Sequence, residues 1–479
     1  MAGWASNKEL VREEFKQATE EGKEPDAVEA LRSEWEAAGN NDDLHAALHE
    51  KLLALPVRLD FPFQEPSDLG GIRTLRPVGP RRLPLKLNDS ELQDKLYGAW
   101  LGRCAGCALG KPVESLMVTP NVVGNSWERQ KKYLTAISAD EWPLRDYFPE
   151  HSPAENETGS LLWGGGSVRE RIAFMESDDD IRYTVLGQII LEKFGAGFSS
   201  SHVAGIWFDR LGYRYFCTAE TQAYRNFVIR GDQFRDTLSL EKGREVDASS
   251  DWPWFTHHLN PYREWIGAQI RIDSYGYAAP GNLELAAEFA WRDARISHVK
   301  NGIYGAMFCA AMISASFATN NVHSIVDAAL AEIPATSRLA ADLRHTIGIC
   351  KKHGFDPANF EAVFIDLHNA LGHYHAVHTN NNACLCAAAL LLSGGDFHRG
   401  ITLAVMGGWD TDCNGATVGS IVGAITGGRN APQHWVGRLN DTLNSFVVEY
   451  HPIAISECAR RSFSIAKKIL LEAPYSGAK

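Results

Sequence analysis

Two stretches of this chain carry glycine at every fourth position: Gly98, Gly102, Gly106 and Gly110, then Gly415, Gly419, Gly423 and Gly427. On a helix of 3.6 residues per turn, a repeat of four keeps such residues near one face, drifting slowly around the axis. Each glycine costs a helix about 1 kcal/mol relative to alanine. Two such rows therefore imply helices whose main chains approach another backbone closely. Ordinary tight core packing accounts for most of these glycines, and either way the pattern predicts a helical centre.

Two carboxylate clusters sit where helices are expected to begin: Ser177-Asp178-Asp179-Asp180, and Asp410-Thr411-Asp412. After the first, Ile181, Val185, Leu186, Ile189, Ile190 and Phe194 recur at helical spacing, with Ser177 placed as N-cap and Gly195 as the stop. Taken singly, each cluster reads as a helix N-terminus, where carboxylates cap free N–H groups and suit the dipole. Adjacent aspartates in an otherwise apolar stretch repel one another, so two clusters together point to a divalent cation.

The run from Tyr97-Gly98-Ala99-Trp100-Leu101-Gly102 through Gly110-Lys111-Pro112-Val113-Glu114, then Ser177 to Asp180, then Gly408-Trp409-Asp410-Thr411-Asp412, resembles the ADP-ribosylglycohydrolase family, with all three motifs in family order. A weaker match is Gly267 to Ile272, followed by Ser297-His298. The resemblance implies a mainly α, orthogonal all-helical domain with a binuclear magnesium centre that hydrolyses a bond at the anomeric carbon of ribose. It implies Ser177, Asp178 and Asp179 on one ion, Asp410 and Asp412 on the second, and Asp412 touching both. Glu114 matches the family's mobile glutamate and, with Asp179 and Asp412, forms the expected catalytic set. Gly267, Ser297, His298, His378, Asn380 and Trp409 are the expected substrate contacts.

Four residues depart from the family pattern. Cys413 stands where threonine is usual, and a thiol is a poor magnesium ligand, so the second metal site is altered. Cys107 replaces a common aspartate. Asp180 adds a carboxylate that can bind metal, approach the sugar or face solvent. Asp273 follows the substrate loop, where a diphosphate would favour positive charge. The first substrate reading is ADP-ribose on a protein or small acceptor. The second is a free nucleoside or other ribofuranoside, and the third a family-derived binding protein without hydrolysis.

The remaining chain narrows the class. With a net charge of −12 the protein is a poor candidate for a general nucleic-acid binder. Apolar runs such as Ala387 to Leu392 fall short of a membrane span. Nine scattered cysteines read as reduced thiols, which gives a cytoplasmic expectation, with homo-oligomerisation open. Residues 1–86 read as an acidic helical extension and linker, its first 60 residues carrying 14 Asp/Glu against 7 Lys/Arg. In it, Phe61 to Pro84 reads as an extended connection with a basic patch of Arg73, Arg76, Arg81 and Arg82. Residues 87–479 form the catalytic domain, with insertions near 118–176 and 208–262 whose aromatics either shape a pocket or pack subdomain cores. His373, His375 and His378 with Asn380 form a polar island, with His378 and Asn380 favoured for substrate.

Overall fold

The two glycine-striped segments lie in helices, Asp89–Val118 and Thr411–Thr426, which run antiparallel with their stripes face to face. A Cβ built on Gly98 would fall 2.2 Å from the carbonyl oxygen of Gly423, on Gly102 2.0 Å from that of Gly419, and on Gly106 1.9 Å from that of Gly415. The relation is reciprocal, since a Cβ on Gly415 would meet the Gly106 oxygen at 2.3 Å. Main chain therefore touches main chain, and any side chain here would push the helices apart. These distances come from a computed structural model that describes residues 5–119, 124–230 and 252–472.

Around this pair pack Asp179–Phe194, Lys300–Ala318, Thr379–Ser393, Phe397–Met406 and Ile455–Glu472. The fold class is all-helical, and among the described residues the only strands are Thr442–Leu443 and Ile453–Ala454. Asn88 starts the first glycine helix with a capping box, its side chain accepting from the Glu91 N–H while Glu91 accepts from the Asn88 N–H. Lys300–Ala318 is long and apolar enough to cross a membrane, which the reading of the apolar runs overlooked; 94% of its apolar window is buried, so core packing accounts for its composition. All nine cysteines are free.

The N-terminal helices Asn7–Glu20 and Asp42–Ala54 bury their own small cluster of Val11, Phe15, Ala18, Val28, Leu48 and Leu52. Their acidity is not only a solvated face. Arg263 of the main body donates to Glu14 and Glu21, and Gln17 Nε2 donates to Glu264 at 2.7 Å, all buried. The expected extended connection contains a short helix, Leu69–Leu75, and three of its four arginines are partnered: Arg73 with Glu288, Arg76 and Arg81 with Glu332.

The two aromatic-rich segments mostly pack rather than open. Trp127 lies on Phe364, Trp142 on Phe360 and Tyr147 on Trp435. Tyr213 and Tyr224 join Phe208 and Phe216. Part of the second segment, residues 231–251, lies outside the described residues.

Candidate active site

The glycine contact sets the site. Gly110 packs on the start of the second glycine helix, where a Cβ would lie 2.2 Å from the Thr411 oxygen, and Thr411 Oγ1 donates to the Gly110 carbonyl at 2.7 Å. Lys111 and Glu114 follow on the next turn and so arrive beside Asp410 and Asp412. Asn382 completes the support: its Oδ1 accepts from the Asp410 N–H at 3.1 Å and from Asn414 Nδ2 at 2.8 Å.

The first acidic cluster caps Asp179–Phe194, but the N-cap is Asp178, one residue later than expected, its carboxylate accepting from the Asp180 N–H at 3.1 Å. Ser177 is displaced from capping because its hydroxyl accepts from Arg182 Nη1 at 3.0 Å. Lys111 Nζ ion-pairs with Asp178 and donates to the Ser177 carbonyl at 2.8 Å.

The two clusters meet. Ligand atoms of Glu114, Asp410 and Asp412 lie within 4.8 Å of one another, as do those of Cys107, Asp178, Asp180 and Asp412. Asp412 belongs to both groups. Burial, then Asp412 and Asp178, push the Glu114 carboxyl well above its ordinary range. Burial and neighbouring carboxylates do the same to Asp180 and Asp410, and push Asp412 up to about 7 and Asp179 to about 6. Burial also opposes ionisation of Asp178, yet Lys111 and Arg182 overcome it and hold that carboxyl well below the usual range. Burial keeps the Cys107 thiol protonated, so it offers no thiolate.

This set fits a hard divalent ion. Its charged donors are all oxygens, and Asp412 Oδ1 is buried with no hydrogen-bond partner. Asp180 is buried beside Asp178 and Asp412 rather than facing solvent, with Arg103 Nη2 3.6 Å from its Oδ1. Cys413 belongs to neither group.

The carboxylates open into a cavity of about 720 Å³, lined by Glu114, Asp179, Asp180, Asp410 and Asp412, with Trp163, Phe216, Trp265 and His375 among its walls. Trp163 Nε1 donates to Glu114 Oε2 at 2.7 Å. Gly267 also lines the cavity, in a short 3-10 helix; a Cβ there would fall 2.3 Å from Glu220 Oε1, so glycine admits that carboxylate. Glu220 pairs with Arg271, while burial pushes its carboxyl up to about 7.

Five expected substrate contacts lie elsewhere. Ser297 and His298 are buried behind Arg271, whose Nη2 donates to Ser297 Oγ at 2.9 Å. His378 caps Thr379–Ser393, and Asn380 Nδ2 donates to Asp342 Oδ2 at 2.8 Å, both fully buried. Trp409 turns away, its ring stacked on His368 at 4.1 Å, with its backbone at φ +56°. His375, stacked on Trp265 at 4.2 Å, is the member of the histidine island that reaches the cavity. Asp273 does not oppose a ligand either, because Arg103 Nη1 pairs with it at 2.9 Å in the core. Lys111, Glu220 and Asn382 carry site geometry that no motif singles out, although Lys111 stands between Gly110 and Glu114 in the first of them.

A family model described as ADP-ribosylglycohydrolase matches residues 88–464. The chain belongs to the ADP-ribosylglycohydrolase family. Among solved structures, a chain of an ADP-ribosylglycohydrolase-related protein complex is 18% identical, covering 79% of this chain and 99% of that one, with a TM-score of 0.44. No curated protein matches. As an ADP-ribosylglycohydrolase family member the chain carries hydrolase-type machinery, and its buried acidic groups can hold a metal ion.

Proposed function

We propose that the protein is a magnesium-dependent hydrolase that removes ADP-ribose from a protein or small-molecule acceptor. The observation that carries this reading is the meeting of Glu114, Asp410 and Asp412 with the Asp178–Asp180 cluster at one cavity. Asp410 and Asp412 would hold the ion, with Asp180 in reach of Asp412. Bound there, magnesium would orient ribose hydroxyls and add positive charge.

Glu114, its carboxyl pushed well above the ordinary range by burial and by Asp412, is the group placed to supply a proton. Trp163 fixes one of its oxygens, leaving the proton for the leaving atom as its bond to the anomeric carbon breaks. Positive charge then develops on the ribose, and the neighbouring carboxylates favour it electrostatically. Asp179, at about 6, is ionised at neutral pH and accepts the proton of the attacking water. The Phe216 and Trp265 rings suit an adenine face, and Arg214, also on the cavity wall, suits a diphosphate.

The test is incubation with ADP-ribosylated proteins, ADP-ribosylated small acceptors and a nucleoside panel, with and without magnesium, alongside Asp178→Ala and Asp412→Ala. Magnesium-dependent release of ADP-ribose, lost in both variants, supports the reading. Release of free base from nucleosides would replace it with ribofuranoside hydrolysis. No turnover of any compound would leave a binding protein.

A further inference from the structure

We infer that Lys111 is a resident cation standing in for one of the two expected metal ions, so that the site takes a single divalent ion on the Asp410–Asp412 side. This rests on the metal-dependent reading above and concerns how many ions that site can hold.

The residues implied for the first ion are Ser177, Asp178 and Asp179. Two of them already have cationic partners: Lys111 Nζ sits on the Asp178 carboxylate and the Ser177 carbonyl, and Arg182 Nη1 takes the Ser177 hydroxyl at 3.0 Å. The Lys111 and Asp178 side chains are only 12% and 6% exposed, so water screens their attraction little. The main chain that carries Lys111 is held on both sides. Gly110 before it is in main-chain contact with Thr411, and Gly164 packs on the backbone after it, where a Cβ would lie 2.8 Å from the Pro112 nitrogen.

Asp410 and Asp412 have no such cation. Neither is in an ion pair among the described residues, and Asp412 Oδ1 is buried and unpartnered.

Ion counting on the full-length protein tests this without substrate. Equilibrium dialysis against Mn²⁺ and elemental analysis should give one ion per chain for the wild type, two for Lys111→Met, and one for the charge-keeping Lys111→Arg. Only Lys111→Met should show the spin-coupled resonance of paired manganese ions. Two ions on the wild type would overturn the inference, even if Lys111→Met fails to fold. So would a single ion on a Lys111→Met protein that keeps the wild-type circular dichroism and melting profile. A wild type that binds no ion would sink both the inference and the metal reading, whereas failure of the ADP-ribose reading alone would appear in the turnover assays and leave the count unchanged.

Discussion

Asp412 is the residue on which both acidic groups converge, and burial with its Oδ1 left unpartnered makes it costly to ionise. Burial, then Asp178, push its carboxyl up to about 7 in the folded protein, from an ordinary value near 4. A raised value favours folding fully below the unfolded pKa, and the benefit is lost as pH rises through about 7. The metal-free protein should therefore melt at a higher temperature at pH 5 than at pH 8, and magnesium should flatten the difference by favouring the ionised form. Calorimetry with chelator and with magnesium checks this; a metal-free melting point that rises with pH over that range contradicts it. Trp163→Phe removes the N–H bonded to Glu114 from a side chain that is 38% exposed. Steady-state kinetics should show kcat about tenfold lower with the melting point nearly unchanged, in line with about 1–1.5 kcal/mol for one hydrogen bond. The aspartates of this site were legible in the chain because acid clusters at helix starts stand out locally. Asn382 and Glu220 were not, since each acquires its place only from a neighbour distant in sequence.

At the scale of the element, the glycine helices make the sharpest claim. Gly106→Ala would put a Cβ 1.9 Å from a main-chain oxygen that belongs to another helix and has little freedom to move. It should cost about 2–4 kcal/mol in denaturant unfolding, as an overpacked core position does at its upper end. Gly348→Ala is the control: it sits on the exposed face of Arg338–Lys352 with nothing within 4 Å of the added carbon. It should stabilise by about 0.5–1 kcal/mol through helix propensity alone. Similar losses at both positions would refute the main-chain contact. The four-residue glycine period announced the close approach, but not that each stripe was the other's partner, because periodicity records a face and not what covers it. The same limit explains Trp409, expected in the cavity and found stacked on His368.

Across the whole molecule, the N-terminal helices are joined to the main body by buried charge. Glu264 links them, accepting from Gln17 and from Arg338. Burial works against ionising it, yet Arg338 and other cations hold it down to about 2. A lowered value means stability present above the unfolded pKa near 4.5 and lost as pH falls towards 2, on the order of a few kcal/mol. Acidification from pH 5 to 3 should loosen the N-terminal helices first, seen as earlier hydrogen exchange over residues 7–54 than over the glycine helices. Arg263→Met should do the same at neutral pH, because it removes the guanidinium shared by Glu14 and Glu21 and leaves them only His49 and Lys300, at a cost of about 3–5 kcal/mol. The pairing of the two glycine helices has a consequence in time as well as in space. The first is synthesised about 300 residues before the second. At about 5–20 residues per second, its bare backbone groove waits about 15–60 s for a partner on the ribosome. The nascent chain must shield that groove by some other contact until the second glycine helix emerges, and the acidic site cannot assemble before then.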